Sequence, residues 1–492
     1  MMRRLTLLIL VLSLAVCGCT SAPPMVTAIP TITDTPQPTA TRTPRPTITP
    51  LPTATITPTQ QLEVLDTDGP WLVLPQEDGL ISVNADGSGG VVTFGWIPLL
   101  ISPSPRGRQV AVITTASRET LQGSALFLMN FPGGESTFLV PLTNDFTEPA
   151  EDGNPYQPNH ESIRAVVEHP NLAWSPDGRM LAFIGAQDGE SADLYVYSTV
   201  DDRVRRLTDT EAHEFAPSWS PDGQYIVTFA AESFGTGEGY DLAGGWAVRV
   251  SDGEREFLYG LPRDTREEKI IGWVNSRTFI VASVDEICGY HNLRTYHFLT
   301  QTTTPLEHGY FLEAWMAQST GKVLFGITED MIVNCDLDME PGVYLVSPVD
   351  GSQVHAFGAY PDAAAWVPQV NAFLLVVGEE LWSVDGETGE AAVLPSPFAG
   401  LPIVSPRGEH WGWALPGESG LAGLWLGEYG EMPVRLISEP VDGMIWSPLG
   451  DAVMYYQWEG DLPGLYYLPT LGSEPIWVQP YAASDSMFWV LP

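Results

Sequence analysis

The chain has 492 residues, 44 % of them hydrophobic, and a formal net charge of −39 at pH 7. That charge opposes binding to nucleic-acid phosphates and to an anionic membrane surface, both of which need a basic face. Its 47 glycines and 43 prolines interrupt helix interiors too often for a mainly helical protein, so turns must be frequent.

Arg3 and Arg4 precede an apolar run from Leu5 to Val16 and then small residues, the three-part pattern of an export signal. The run is too short to cross a bilayer core of about 30 Å as a helix, so cleavage is expected rather than a permanent span. Its end, LAVCGC, resembles the lipobox of bacterial lipoproteins. The resemblance implies a signal peptide at 1–18 and a lipid on Cys19, because Gly18 supplies the small residue before the cut that Val16 does not supply before Cys17. The other reading is a secreted protein cut nearby.

Residues 19–61 form the next segment. Within it, 27–60 contains 13 Thr and 8 Pro among 34 residues, with no periodic apolar face, and favours extended polyproline-like conformations. It reads as a disordered stalk holding the remainder, 62–492, away from a membrane. Four of the 22 basic residues and one of the 61 acidic ones lie before residue 62, so the body is more acidic than the whole chain. Most of that acid is expected to be solvated surface.

The body repeats one turn. Trp174-Ser175-Pro176-Asp177-Gly178 returns at Trp219-Ser220-Pro221-Asp222-Gly223 and, with one change, at Trp446-Ser447-Pro448-Leu449-Gly450. Pro presets the second turn position, Asp suits the third and Gly accepts the left-handed geometry that closes a hairpin. After the apolar runs on either side come DLYVYSTV and RVRRLTD, so one unit is four short strands, a to d. The same order recurs with a strands beginning near Pro98, Asn171, Ala216, Ile270, Glu313, Ala363, Leu401 and Gly443. Residues 62–94 read as strands b, c and d without an a, and 484–492 as an a strand with nothing after it; together they make one more unit and close a ring. The expected fold is an all-β propeller of four-stranded blades, nine by count, with eight acceptable if one weak unit is absorbed elsewhere. Trp174, Trp219, Trp273, Trp315, Trp366, Trp446 and Trp489 hold corresponding places in seven units, where they are expected to pack between sheets; a row of sugar-stacking rings is the sharper alternative.

These turns resemble the WD40-like (PD40) repeats of TolB-type proteins, also seen in prolyl-oligopeptidase propellers. The resemblance covers most of the chain after the stalk and is strongest at 171–230. It implies a β-propeller and does not name a function. True WD40 repeats end strand c with Trp-Asp, a dipeptide absent from this sequence.

The sequence offers little recognisable chemistry. It contains no G-x-S-x-G nucleophile elbow and no H-E-x-x-H. Asp336, Asp338 and Glu340 lack EF-hand spacing. No cofactor, metal site or catalytic residue is assigned. Cys288 and Cys335 both fall between strands b and c of adjacent units, on the face that also carries the d–a connections. A disulfide between them is expected outside the cytoplasm and would add roughly 4 kcal/mol on a chain-entropy model. The long insertions 114–125, 141–170 and 230–245 lie on the same face, and loops on a rigid scaffold commonly carry function. Tyr156, Phe234, Tyr240, Tyr290 and Tyr310 are the aromatic contacts it offers. The expected function is a non-catalytic, extracytoplasmic, lipid-anchored monomer in the cell envelope, binding a protein, peptide or glycan through this face and touching the membrane only through its lipid. The alternatives are a glycosidase- or lyase-type enzyme with acidic groups at the ring axis, and an envelope scaffold by analogy with TolB.

Overall fold

The computed structural model describes residues 65–492, apart from 116–122, 143–170, 235–239, 259–267, 458–462, 480–486 and scattered gaps of one to three residues. Among the described residues the strands form nine antiparallel sheets, eight of four strands and one of five, in sequence order from the innermost outward except where the C-terminal strand is innermost in its sheet and where the fifth strand, Tyr310–Phe311, pairs with the third of its sheet. The nine sheets are the blades of a ring. Their innermost strands are Ile97–Pro103, Leu172–Trp174, His213–Trp219, Glu268–Asn275, Glu313–Met316, Ala363–Val367, Ile403–Val404, Gly443–Trp446 and Phe488–Val490, numbered here blades 1 to 9.

Blade 9 closes the ring. Phe488–Val490 pairs with Trp71–Gln76 through Trp71↔Val490, Leu72↔Trp489 and Val73↔Phe488. The blade then continues outward through Gly79–Asn84 and Val91–Phe94. Trp71 is fully buried at this junction and its indole N–H donates to the Asp66 carbonyl at 2.8 Å.

Burial follows position in the blade. Second strands such as Val323–Ile327 and Val453–Gln457 are buried along their whole length, because each sheet is covered on both faces by its neighbours; they therefore read as continuous apolar runs instead of alternating ones. The outermost strand Thr302–Pro305 is exposed throughout, which suits the polar residues there.

The repeated turn is held by its serine. Ser175 Oγ donates to Asp177 Oδ1 at 2.7 Å and accepts from the Met180 N–H at 2.9 Å. Ser220 makes the same pair of bonds with Asp222 and Tyr225. At Ser447 the third turn position is Leu449, and the serine bonds Asp451 instead at 2.7 Å, so the acid has moved past the glycine without loss of the bond. Asp177 sits below the usual carboxylate range because the Ser175 hydroxyl donates to it.

Neighbouring blades are joined by their tryptophans. Trp174 donates its indole N–H to the Ser102 carbonyl at 2.9 Å, Trp219 to the Ala173 carbonyl at 2.7 Å and Trp273 to Ser218 Oγ at 2.9 Å. Trp446 reaches the Ile403 carbonyl at 2.7 Å and Trp489 the Trp446 carbonyl at 2.6 Å. In each case the acceptor lies on the innermost strand of the preceding blade. The row is thus a packing element with a polar handle, carried through five of the nine seams.

Two details depart from the sequence reading. The 230–245 insertion extends blade 3, whose second and third strands run as Tyr225–Phe234 and Tyr240–Arg249 and pair out to Phe234↔Tyr240. A short helix, Glu329–Asn334, capped by the Thr328 hydroxyl, interrupts the all-β pattern before Cys335. The adaptable blade count is settled at nine.

The turn glycines provide a matched test of the seams. Gly178 and Gly223 have φ of 70° and 68°. A Cβ on Gly178 would lie 2.6 Å from the Arg106 carbonyl oxygen and 2.8 Å from Ser104 Oγ in blade 1, whereas one on Gly223 would meet nothing within 4 Å. Gly223→Ala is expected to cost about 1–2 kcal/mol from the left-handed backbone alone, and Gly178→Ala distinctly more. Urea unfolding of the two variants checks the difference.

Candidate functional site

Each blade's second-to-third strand connections and the blade-to-blade connections share one face. At blades 4 and 5 that face is rigidly built. The Sγ atoms of Cys288 and Cys335 are bonded, joining the two blades across a sequence separation of 47 residues. Gly289 follows with φ 77°, and a Cβ there would come 2.8 Å from the Phe311 carbonyl oxygen, so the chain can make this close approach only with glycine.

Directly after it, Tyr290 and His291 pair with a two-residue strand, Tyr310–Phe311, added to blade 4. Tyr290 stacks on the fully buried Phe311 with centroids 5.6 Å apart, and Tyr310 lies against His291 at 5.2 Å. Lys269, exposed on the innermost strand, donates to the Tyr290 hydroxyl at 3.0 Å and sits 5.0 Å from the ring centroid, a cation over an aromatic face. Two of the candidate aromatic residues thus stand on neighbouring strands of blade 4, Tyr290 with Phe311 and Lys269, and Tyr310 with His291 on the other side of the pairing.

The other candidates are separate. Phe234 and Tyr240 end the blade 3 hairpin. Tyr156 and Cys19 lie outside the described residues. Among the described residues no group of three or more His, Cys, Asp or Glu is arranged to hold a metal ion.

Beneath this face lie buried ionisable groups that the sequence did not single out. Glu268, the first residue of the blade 4 inner strand, is ion-paired with Arg294 at 3.0 Å, both side chains being almost wholly buried. Ser283 Oγ also donates to it at 2.8 Å. Five residues before its tryptophan in the same way, Glu214 of blade 3 accepts from Thr208 Oγ1 at 2.6 Å and from the Leu194 N–H at 3.2 Å. Its other oxygen has no hydrogen bond and lies 3.9 Å from Arg255. Asp193 beside it is bonded to Arg206 at 2.6 Å.

Burial raises the Glu214 carboxyl to about 8, against the lowering effect of Thr208, with the charge of Asp193 adding to the rise. At neutral pH Glu214 is therefore protonated. Burial likewise lifts Asp193 above its ordinary range, although Thr210 and Arg206 oppose it.

Because the folded state holds the Glu214 proton more tightly than the unfolded chain, its contribution to stability is complete below about pH 4.5 and is lost as pH rises through about 8. Glu214→Gln should remove that dependence: the stability of the wild type relative to the variant falls between these limits and is level outside them. Thermal unfolding of both proteins from pH 4 to 9 measures it.

Comparison with known proteins agrees with this architecture. No family model matches the chain. A stretch of 68 residues, 14 % of this chain, is 47 % identical to an uncharacterised peptidase, YuxL, of Bacillus subtilis and covers 10 % of that protein. Another of 109 residues, 20 % of the chain, is 27 % identical to the Tol-Pal system protein TolB of Alcanivorax borkumensis and covers 24 % of it. The chain thus matches a quarter or less of the length of either relative. Among solved structures, a eukaryotic initiation factor aligns over 86 % of this chain and 99 % of its own with a TM-score of 0.52 and 13 % identity, a likeness of fold alone. The repeated turn, the strand order and the closure by the strand at 488–490 make the chain a nine-bladed β-propeller, with a stretch of repeat sequence similar to that of TolB.

Proposed function

We propose that the protein is a non-catalytic, extracytoplasmic propeller, tethered by a lipid on Cys19, that binds its ligand through the face of blades 4 and 5. The observation that carries this reading is the ordered aromatic ground at this face, Tyr290 held by Phe311 and Lys269 and Tyr310 held by His291, braced by the Cys288–Cys335 bond. Aromatic side chains that are half-exposed yet pre-ordered bind with little loss of conformational freedom. The export pattern, the Thr/Pro stalk and the repeat likeness to TolB support an envelope address.

The buried carboxyls do not favour the enzyme reading. Glu214 and Glu268 have no side-chain exposure, so neither reaches a substrate without rearrangement, and Glu268 is fully engaged with Arg294 and Ser283.

Two experiments test the proposal. Pull-down of envelope proteins and glycans with the full chain should be weakened by Tyr310→Ala and unchanged by Leu449→Ala, an exposed residue of a first-to-second-strand turn on the opposite face; equal capture by both variants contradicts the assigned face. Cys19→Ala should move the protein from the membrane to the soluble fraction and abolish incorporation of a labelled fatty acid.

A further inference from the structure

Contacts between neighbouring blades differ in kind around the ring. Indole bonds cross the seams between blades 1 and 2, 2 and 3, 3 and 4, 7 and 8, and 8 and 9. Elsewhere other bonds take their place. Arg108 of blade 1 donates to the Thr67 carbonyl at 2.8 Å and lies over the Trp71 ring of blade 9, and the Cys288–Cys335 bond joins blades 4 and 5. Between blades 5 and 6, Ser319 Oγ donates to Asn371 Oδ1 at 2.7 Å and Lys322 pairs with Glu387 at 3.0 Å. The seam between blades 6 and 7 has none of these. Residues 363–437, which make up the two blades and their connection, are described throughout except at 418–419. Among the described residues no hydrogen bond, ion pair or disulfide joins blade 6 to blade 7.

What fills that seam is apolar. Leu374, Val376 and Leu381 of blade 6 cluster with Trp411 and Trp413 of blade 7, all of them buried. The rings are held on the blade 7 side. Phe398 of the connection lies 5.3 Å from Trp413 and 4.9 Å from Trp425, and Trp411 lies 5.0 Å from Trp413. Their polar atoms stay on that side too: Trp413 donates to the Gly400 carbonyl of the connection at 2.9 Å and Trp425 to the Leu421 carbonyl at 2.8 Å, while the Trp411 N–H has no protein acceptor. The blades are nonetheless close, since a Cβ on Gly408 would lie 2.9 Å from Gln369 Cβ. Distance therefore does not explain the missing bonds.

A hydrogen bond fixes one relative position of two blades, whereas apolar contact is non-directional and tolerates sliding. Small sliding of packed elements is one of the ways proteins change shape, and openings that stop short of unfolding arise where fixing contacts are fewest. We infer that the contact between blades 6 and 7 is a slip seam: in the folded protein these two blades part and reseal while the other eight seams hold. The connection 395–402 travels with blade 7, to which Phe398 and Gly400 fasten it, so the bend falls between Leu394 and Phe398. The ring thereby changes its aperture without losing a strand pair.

Two adjacent residues of one strand supply the test. Leu374 and Leu375, both wholly buried, belong to Ala372–Val377 of blade 6; Leu374 faces blade 7 and Leu375 faces blade 5. Leu374→Cys and Leu375→Cys are made separately in the full chain and exposed to iodoacetamide without reductant, the label being read by mass on the peptide that carries the substitution. Leu374→Cys is expected to react roughly tenfold or more faster, at a rate unaffected by low urea, as for an opening smaller than unfolding. Leu375→Cys should react only as fast as the whole protein unfolds. Equal rates at the two positions, or a Leu374→Cys rate that rises with urea in step with global unfolding, overturns the slip seam. Should a leucine variant fail to fold, Val376→Cys, facing blade 7, and Val384→Cys, facing blade 5, decide the question by the same two criteria with a smaller loss of volume.

Discussion

The ring depends on a bond that runs sideways. A four-stranded sheet leaves backbone groups unpaired along its two edges, and at the innermost edge an acceptor on one blade faces the next. At five seams a tryptophan of the following blade donates to that edge, four times to a backbone carbonyl and once, from Trp273, to the Ser218 hydroxyl. The same side chain fills the space between sheets, so one residue type serves both packing and hydrogen bonding. In blade 3 a bulge between Phe215 and Ser218 adds another seam bond, since Ala216, at φ 51°, donates its N–H to Asn171 Oδ1 of blade 2 at 3.1 Å. A bulge that would weaken an isolated sheet contributes here to the contact between two.

Much of this was legible beforehand because the determinants are local. Ser-Pro-Asp-Gly dictates a turn through the dihedral preferences of four adjacent residues, and the corresponding places of Trp174, Trp219 and Trp273 mark the blades. Closure could be read because residues 62–94 lack an a strand and 484–492 are one. What the tryptophans bond to could not be read, since each acceptor lies 43 to 72 residues away in sequence. The extra strand Tyr310–Phe311 is too short for any periodicity, and the helix Glu329–Asn334 has six residues.

The buried acids were hidden for a different reason. Glu214 and Glu268 look like two of 61 acids, and only the fold shows that they occupy equivalent places at the start of their inner strands. Each is made tolerable by a different means, Glu268 by an arginine and Glu214 by keeping its proton. The surroundings of Lys269 were equally hidden, because they lie across the sheet, Tyr290 above all. The site is assembled from a strand of the axis, a hairpin and an added strand, and no single window of sequence contains it.

The pairing of Trp71, Leu72 and Val73 with Phe488, Trp489 and Val490 also governs how such a chain reaches its native state. These are among the longest-range contacts available to it, and loop-closure entropy must be met before they form. Until the strand at 488–490 docks, blade 9 lacks its innermost strand and the ring has two raw edges, with Leu72 and Leu74 denied the cover that buries them completely in the finished molecule. Eight blades can assemble progressively by neighbour contacts during synthesis or export, but the ninth waits for the two distant parts to meet. The fold therefore has a late step on which everything already assembled depends, and the time spent before it is when an acidic, self-repelling surface protects the open ring from pairing with another copy.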